Sequence, residues 1–294
     1  MNSEKWTLFV IINPVSGTRN KYKVLEKIIS LQTEGYTIDL HWTQYSQHAT
    51  KLAQQAIEKK VNCVVVVGGD GTINEVAQAL IHSQIPLAII PHGSGDGLAR
   101  HLKIPLKTAK AIDVIRSGKV IKIDYGKANG LLFFCTCGVG YDAEVGLKAG
   151  NAKKRGKTMY AKNMLSVFQH YEPEKYKITT TTEVYQGKAF TVTCANANQY
   201  GNNGFIAPKA NITDGLLNIE IIKPISAFDV PMLGVQMLTK KINKNKKLKE
   251  IITQRAIIER ENEGIMHLDG NAVMMPKNIE ISIIPNGLNV LVPN

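Results

Sequence analysis

The chain has 294 residues, 44% of them hydrophobic, with 36 Lys and Arg against 24 Asp and Glu and a formal net charge of +12. That length accommodates about two domains with cores of their own, and every apolar run falls short of the roughly 18 residues that a membrane helix needs. Aromatic residues make up only 6% and are not interleaved with the basic ones, which argues against a nucleic-acid surface; the excess positive charge favours phosphorylated nucleotides or acidic membrane surfaces instead.

Residues 6–12 read as a first buried strand, too short and wrongly flanked for a signal peptide, and they end in the turn Asn13-Pro14-Val15-Ser16-Gly17. A helix carrying Tyr22, Leu25, Ile28 and Ile29 follows. Residues 36–42 predict a second strand, and residues 43–57 contain a helix with Ala49, Leu52, Ala53 and Ala56 along one side. The third strand, 61–67, includes an unbroken valine run from 64 to 67, the pattern of a parallel strand covered on both faces. It runs into Gly68-Gly69-Asp70-Gly71-Thr72 and then Ile73, Val76, Ala77 and Leu80 at helical spacing. Thr72 and Glu75 have the spacing of a capping box, which predicts a helix from about Thr72. A fourth strand, 87–91, leads into His92-Gly93-Ser94-Gly95-Asp96-Gly97, and a helix over 108–116 stops at Ser117-Gly118.

Strict alternation ends near residue 120. Strand-like runs then cover 131–137, 176–184, 188–195, 217–222, 279–284 and 288–292, interrupted by helical segments around 157–170 and 226–242. This predicts an α/β domain over residues 1–122 and a mostly β domain over 123–294. The cysteines at 63, 135, 137 and 194 lack paired C-x-x-C spacing, so reduced thiols in a cytoplasmic protein are expected. Basic residues concentrate in 148–162 and in 240–260, where an anionic partner or plain solvation would both account for them.

Three glycines at a strand-to-helix turn keep side chains away from the backbone amides, so that a phosphate could approach the helix amino end. Asp70 would repel a bare phosphate unless a divalent cation stood between them, and the pair therefore points to phosphate with magnesium. The alternative is a glycine-rich turn in which Asp70 only satisfies local amides.

An ordered series of motifs runs along the chain: Asn13-Pro14-Val15-Ser16-Gly17, Gly68 to Thr72 with Asn74-Glu75, Pro91-x-Gly93-Ser94-Gly95-Asp96-Gly97-Leu98-Ala99-Arg100 and Gly138-x-Gly140-Tyr141-Asp142-Ala143. Tyr200-Gly201 with Gly204, Pro208 and Ala210, then Asp214-Gly215-Leu216 and Asp269-Gly270 complete it, so that nearly the whole chain is covered. In this series the chain resembles the diacylglycerol kinase catalytic-domain family, which includes bacterial lipid kinases and the sphingosine and long-chain-base kinases. The resemblance implies an NAD kinase/diacylglycerol kinase-like α/β nucleotide-binding domain, a β sandwich-like second domain, and transfer of phosphate from ATP with Mg2+ to a lipid alcohol. By matching position, Asn13, Ser16, Gly17 and Thr43 would form the nucleotide pocket, with Gly68, Gly69, Asp70, Gly71, Thr72 and Glu75 around the phosphates. Gly93, Ser94, Gly95 and Asp96 would close the other side, and Arg100 would pair with phosphate oxygens or hold Asp96. Asp70 would act through the metal, and Asp142 would accept the hydroxyl proton, hold the lipid's polar head, or merely bond to turn amides. Asp214 reads as a turn residue, with a structural metal as the weaker option, and Thr43 could simply cap the next helix.

The pattern is broken at two positions. Asp96 stands where the family usually has asparagine, exchanging a donor for a carboxylate, and Asn271 stands where it usually has glutamate, removing a base. The leading expectation is a lipid kinase working peripherally at the inner membrane surface; a catalytically impaired nucleotide- or lipid-binding protein is the second. An NAD kinase, sharing Gly-Gly-Asp-Gly-Thr, is disfavoured by the segment at Gly93 and by the second-domain matches.

Overall fold

A computed structural model describes residues 6–17, 21–150 and 157–294. It divides into two units, Met1–Ile123 together with Asn286–Asn294, and Asp124–Pro285. Residues 151–156 of the expected basic run 148–162 lie outside the described residues.

The first unit alternates β1 (Thr7–Ile12), α1 (Lys21–Ile29), β2 (Thr37–Trp42), α2 (His48–Glu58), β3 (Cys63–Gly68), α3 (Asp70–Leu80), β4 (Leu87–Pro91), α4 (Gly97–His101) and α5 (Thr108–Ser117). The strands run parallel in the order β2-β1-β3-β4. Every residue of β3 is buried, as a β-branched run between helical layers requires. α2 buries Ala49, Leu52, Ala53 and Ala56, the stripe its spacing predicts. α1 departs from expectation: Lys21, Val24 and Ile28 face inward while Tyr22 is 72% exposed. Its apolar stripe continues into buried Leu31 of the following 3-10 turn, which fixes the helix phase on Val24, Ile28 and Leu31. α4 spans too few residues to show any period in sequence.

The second unit contains the end of β5 (Lys119–Ala128), then β6 (Leu131–Phe133), β7 (Thr136–Gly140), α6 (Tyr141–Gly150), α7 (Lys157–Phe168), β8 (Glu174–Thr180), β9 (Val184–Ala189), β10 (Thr191–Ala195), β11 (Leu217–Ile222) and α8 (Val230–Leu238). β12 (Leu248–Thr253), β13 (Arg255–Arg260), β14 (Gly264–Leu268), β15 (Asn271–Met275) and β16 (Asn278–Val292) follow. One sheet has the order β12-β11-β10-β7-β14-β15, and β9, β8, β13 and the first part of β16 form an antiparallel second layer. Cys137, Val192, Ile219 and Met266 of the first meet Tyr176, Ile178, Ile258 and Ile281 of the second in one buried cluster. Alternating side chains thus fill a sandwich.

The boundary after the first unit falls at residue 123, but the last residues do not belong where the sequence put them. From Asn286 onward β16 groups with the first unit, where Val290 pairs in parallel with Leu87 of β4. A buried apolar run announces a strand, whereas its partner is a long-range property. Residues 131–137, expected as one strand, split into β6 and β7 because the Asp269 carboxylate draws the amides of Phe134, Cys135 and Thr136 to itself at 2.7, 2.7 and 3.0 Å. All four cysteines are buried, and among the described residues none forms a disulfide. No described helix is long and apolar enough to cross a membrane.

Candidate functional site

Two turns of the first unit come together at the carboxyl ends of β3 and β4. The Asp70 carboxylate accepts hydrogen bonds from the amides of Asp96 at 2.8 Å and Gly97 at 2.7 Å, so it fastens the β3–α3 turn to the start of α4. Burial pushes its pKa above the ordinary 3.8, against the pull of those amides and of the Arg100 charge. The glycines let the turns touch: a Cβ on Gly93 would lie 2.8 Å from the Gly69 Cα and 2.8 Å from an Asp96 carboxylate oxygen. Gly93→Ala is therefore expected to force the turns apart and cost about 1–3 kcal/mol, measured by urea unfolding. Gly71 differs, because a Cβ there would meet nothing within 4 Å.

The Asn13 turn is tied to the same place. Asn13 donates through Nδ2 to the Thr72 hydroxyl at 2.8 Å and accepts the Val15 amide at 3.0 Å. The Ser16 hydroxyl donates to the Asn13 carbonyl, and buried Lys21 donates to the Ser16 carbonyl and to Nδ1 of His92, the latter at 3.0 Å. Gly17 sits at φ +60, where a Cβ would be 2.3 Å from the His92 carbonyl oxygen. Ser94 is exposed, and Thr43 follows β2 with its amide bonded to Ile12. Thr43 is not the cap of α2, whose preceding residue is Gln47.

Three expectations change here. The Thr72–Glu75 capping box does not form: α3 begins at Asp70 with no side-chain cap, and Thr72 is buried against Asn13. Glu75 turns to the amino end of α2, where it accepts the Ala49 amide at 3.2 Å, a favourable place for an anion. Asp96 occupies a left-handed backbone at φ 50, and its Oδ1 accepts the Gly93 amide at 2.8 Å. That is a role which a carboxylate fills as well as the family's amide oxygen, so the feared loss of a donor does not apply to this bond. Arg100 donates through Nε to the Gly95 carbonyl at 2.9 Å and so stiffens the turn.

In the second unit β7 delivers Asp142 into the first turn of α6. Its Oδ2 accepts from the Thr193 hydroxyl at 2.9 Å and the Tyr200 hydroxyl at 2.8 Å, and Nε2 of His267 stands 3.1 Å away. The Gly270 amide approaches His267 Nδ1 at 3.4 Å, which leaves Nε2 as the nitrogen that carries hydrogen toward Asp142. Burial works to raise the Asp142 pKa, but His267 and the hydroxyl donors outweigh it and hold the carboxyl below its ordinary value. Gly138 makes the room: a Cβ there would lie 2.7 Å from Asp142 Oδ2 and 3.0 Å from His267 Nε2. His267 escaped the sequence reading, although its position two residues before Asp269-Gly270 was a usable signal.

Asp269 and Gly270, at φ 49 and 82, form the two-residue turn between β14 and β15, a pairing of left-handed residues that tight hairpins favour. Asp269 is thus committed to the backbone, and the exposed Asn271 opens β15. Asp214 accepts the Leu216 amide at 2.9 Å in a turn. Among the described residues no group of three or more His, Cys, Asp or Glu is gathered to hold a metal ion.

The diacylglycerol kinase catalytic domain model matches residues 7–128, and the model of the YegS C-terminal NAD kinase beta sandwich-like domain matches 135–292. A diacylglycerol kinase of Mycobacterium tuberculosis is 29% identical over 96% of this chain and 94% of its own. A probable lipid kinase YegS of Escherichia coli is 28% identical over 91% and 90% respectively, and a diacylglycerol kinase of Bacillus subtilis is 28% identical over 73% of each. A solved putative diacylglycerol kinase from Bacillus anthracis shares the fold with a TM-score of 0.80 at 24% identity, over 99% of this chain and 98% of that one.

Proposed function

Because the chain belongs to the diacylglycerol kinase catalytic-domain family with a YegS-type second domain, we propose that it transfers the γ-phosphoryl group of ATP, with Mg2+, to the hydroxyl of a lipid alcohol. The observation that carries this reading is the uncrowded amino end of α3: its N-cap residue, Gly69, has no side chain to cover the helix end, and Gly71 leaves open space beside it. A helix amino end with an uncrowded backbone suits a polyphosphate. Asp70 suits the metal, because burial raises its pKa above the ordinary range even though the amides of Gly97, Asp96 and Asp70 itself donate to its carboxylate. A cation carried by the phosphates would supply that balance and would neutralise charge during transfer. Asn13, Ser16 and the Gly93–Gly95 turn shape the nucleotide side, and Asp142 with Tyr200 and Thr193 orients the acceptor hydroxyl.

The test is phosphate transfer from labelled ATP to a panel of diacylglycerols and long-chain bases in mixed micelles with magnesium, beside Asp70→Ala. Transfer to one lipid class, lost in the variant, is the expected result and would show that Asn271 is tolerated. Absence of transfer to every lipid, with magnesium-dependent ATP binding intact by calorimetry, would instead mark an impaired binding protein. Gly71→Ala separates site from scaffold: alanine in the first turn of α3 is expected to leave the fold as stable or more so by up to ~1 kcal/mol. The same change is expected to weaken ATP binding at least about 10-fold, since the added methyl occupies the approach to the amides; unchanged affinity would place the phosphates elsewhere.

A further inference from the structure

α8 (Val230–Leu238) is apolar on both sides. Leu233 and Met237 pack into a buried cluster with Phe190, Ile206 and Ile242. On the other side Met232, Val235 and Leu238 are 59, 56 and 63% exposed, and Phe228, just ahead of the helix, is 95% exposed. A helical spacing of three residues places Met232, Val235 and Leu238 in one stripe, with Phe228 in the turn that leads into the helix. A helix that is hydrophobic all round is ordinarily buried, so this stripe is a surface without its partner.

The charge around it is one-sided. Asp229 is the single acid between residues 223 and 247, and it is engaged by Lys247 at 2.8 Å and by Ser226, which hold its pKa down to about 2. The basic stretch expected over 240–260 is in fact divided. Lys247 and Lys249 pair with Asp229 and Glu183, while Arg260 turns inward onto the carbonyls of Gly264, Ile265 and Met275. Lys240, Lys241, Lys244 and Lys246 remain exposed immediately beyond the carboxyl end of α8.

An apolar stripe bordered by exposed lysines fits the boundary of an anionic bilayer, where apolar side chains enter the acyl region and ammonium groups meet lipid phosphates. A second copy of this chain, with the same positive charge, fits less well. We propose that the outer face of α8 is a membrane-docking surface, with Phe228, Met232, Val235 and Leu238 inserting and Lys240, Lys241 and Lys244 contacting headgroups. The choice of partner rests on the reading of the chain as a lipid kinase; the docking itself is measured without ATP or acceptor and so stands or falls separately.

The full chain would be sedimented with vesicles of phosphatidylcholine alone and of phosphatidylcholine with phosphatidylglycerol. Binding to the anionic vesicles at least about 10-fold stronger, and weakened by salt, is expected. Met232→Ser with Leu238→Ser should lower it about 10-fold with circular dichroism unchanged. Phe228→Trp should gain fluorescence that acyl-chain-brominated lipids quench, beyond any quenching of the parent chain. Equal vesicle binding by parent and double variant would overturn the proposal. So would a concentration-dependent dimer that the double variant abolishes, which would assign the stripe to self-association.

Discussion

Asp142→Ala is expected to lower phosphoryl transfer at least about 100-fold while leaving ATP affinity within about threefold. Asp142 belongs to the second unit, and the residues assigned to the nucleotide all belong to the first. Its carboxylate is the common acceptor for Thr193, Tyr200 and His267, so its removal takes one shared acceptor from all three, while the Thr193 and Tyr200 hydroxyls keep their 2.6 Å bond to each other. Loss of that buried acceptor costs about 1–3 kcal/mol, and the variant should also unfold at lower urea. Asp142→Asn keeps the volume but places an amide against groups that donate; it should lose transfer as well, with a smaller stability loss. Because the folded pKa is lowered, the stability Asp142 contributes is present above the ordinary 3.8 and is lost as pH falls through the folded value. A carboxyl held this low is a weak base and a good anchor. Its expected contribution is to orient the hydroxyls and His267, visible as a fall in kcat with an unchanged ATP KM. Transfer within threefold of the parent in both folded variants would remove Asp142 from the machinery.

Glu220→Gln is expected to act on stability instead, raising the unfolding free energy near pH 9 by about 2–4 kcal/mol and changing it little near pH 5. Glu220 is 1% exposed in β11, opposite Glu250 of β12 and Thr193 of β10, and its Oε2 has no hydrogen-bond partner among the described residues. Burial first, and then the Glu250 charge, push its pKa from 4.5 to about 8, with Lys209 pulling the other way. The folded chain therefore keeps a proton that the unfolded chain releases above 4.5, so the parent loses stability as pH climbs from there through about 8. Glutamine resembles the protonated acid, keeps a donor for Glu250 and has no proton to lose. Urea midpoints compared near both pH values check this, and an equal difference at the two would refute it.

Local chemistry in the sequence already determines much of this protein. The valine run before Gly68 reads as a covered strand and is one, the alanine and leucine stripe of α2 appears where its period puts it, and Gly-rich turns follow β3 and β4 where the sequence shows them. Those features depend on residues within a turn or two of one another. What the tertiary structure alone decided involves residues far apart in the chain. The carboxyl-terminal run joins the first unit because Val290 finds Leu87. Glu75, at capping-box spacing, serves a different helix because α2 packs against α3 and offers its free Ala49 amide. Asp70 reaches across to Asp96 and Gly97, and Asp142 to His267, 125 positions away. Spacing along the chain encodes which face a residue shows, but the partner waiting on that face is set by which strands and helices become neighbours, and no local period carries that information.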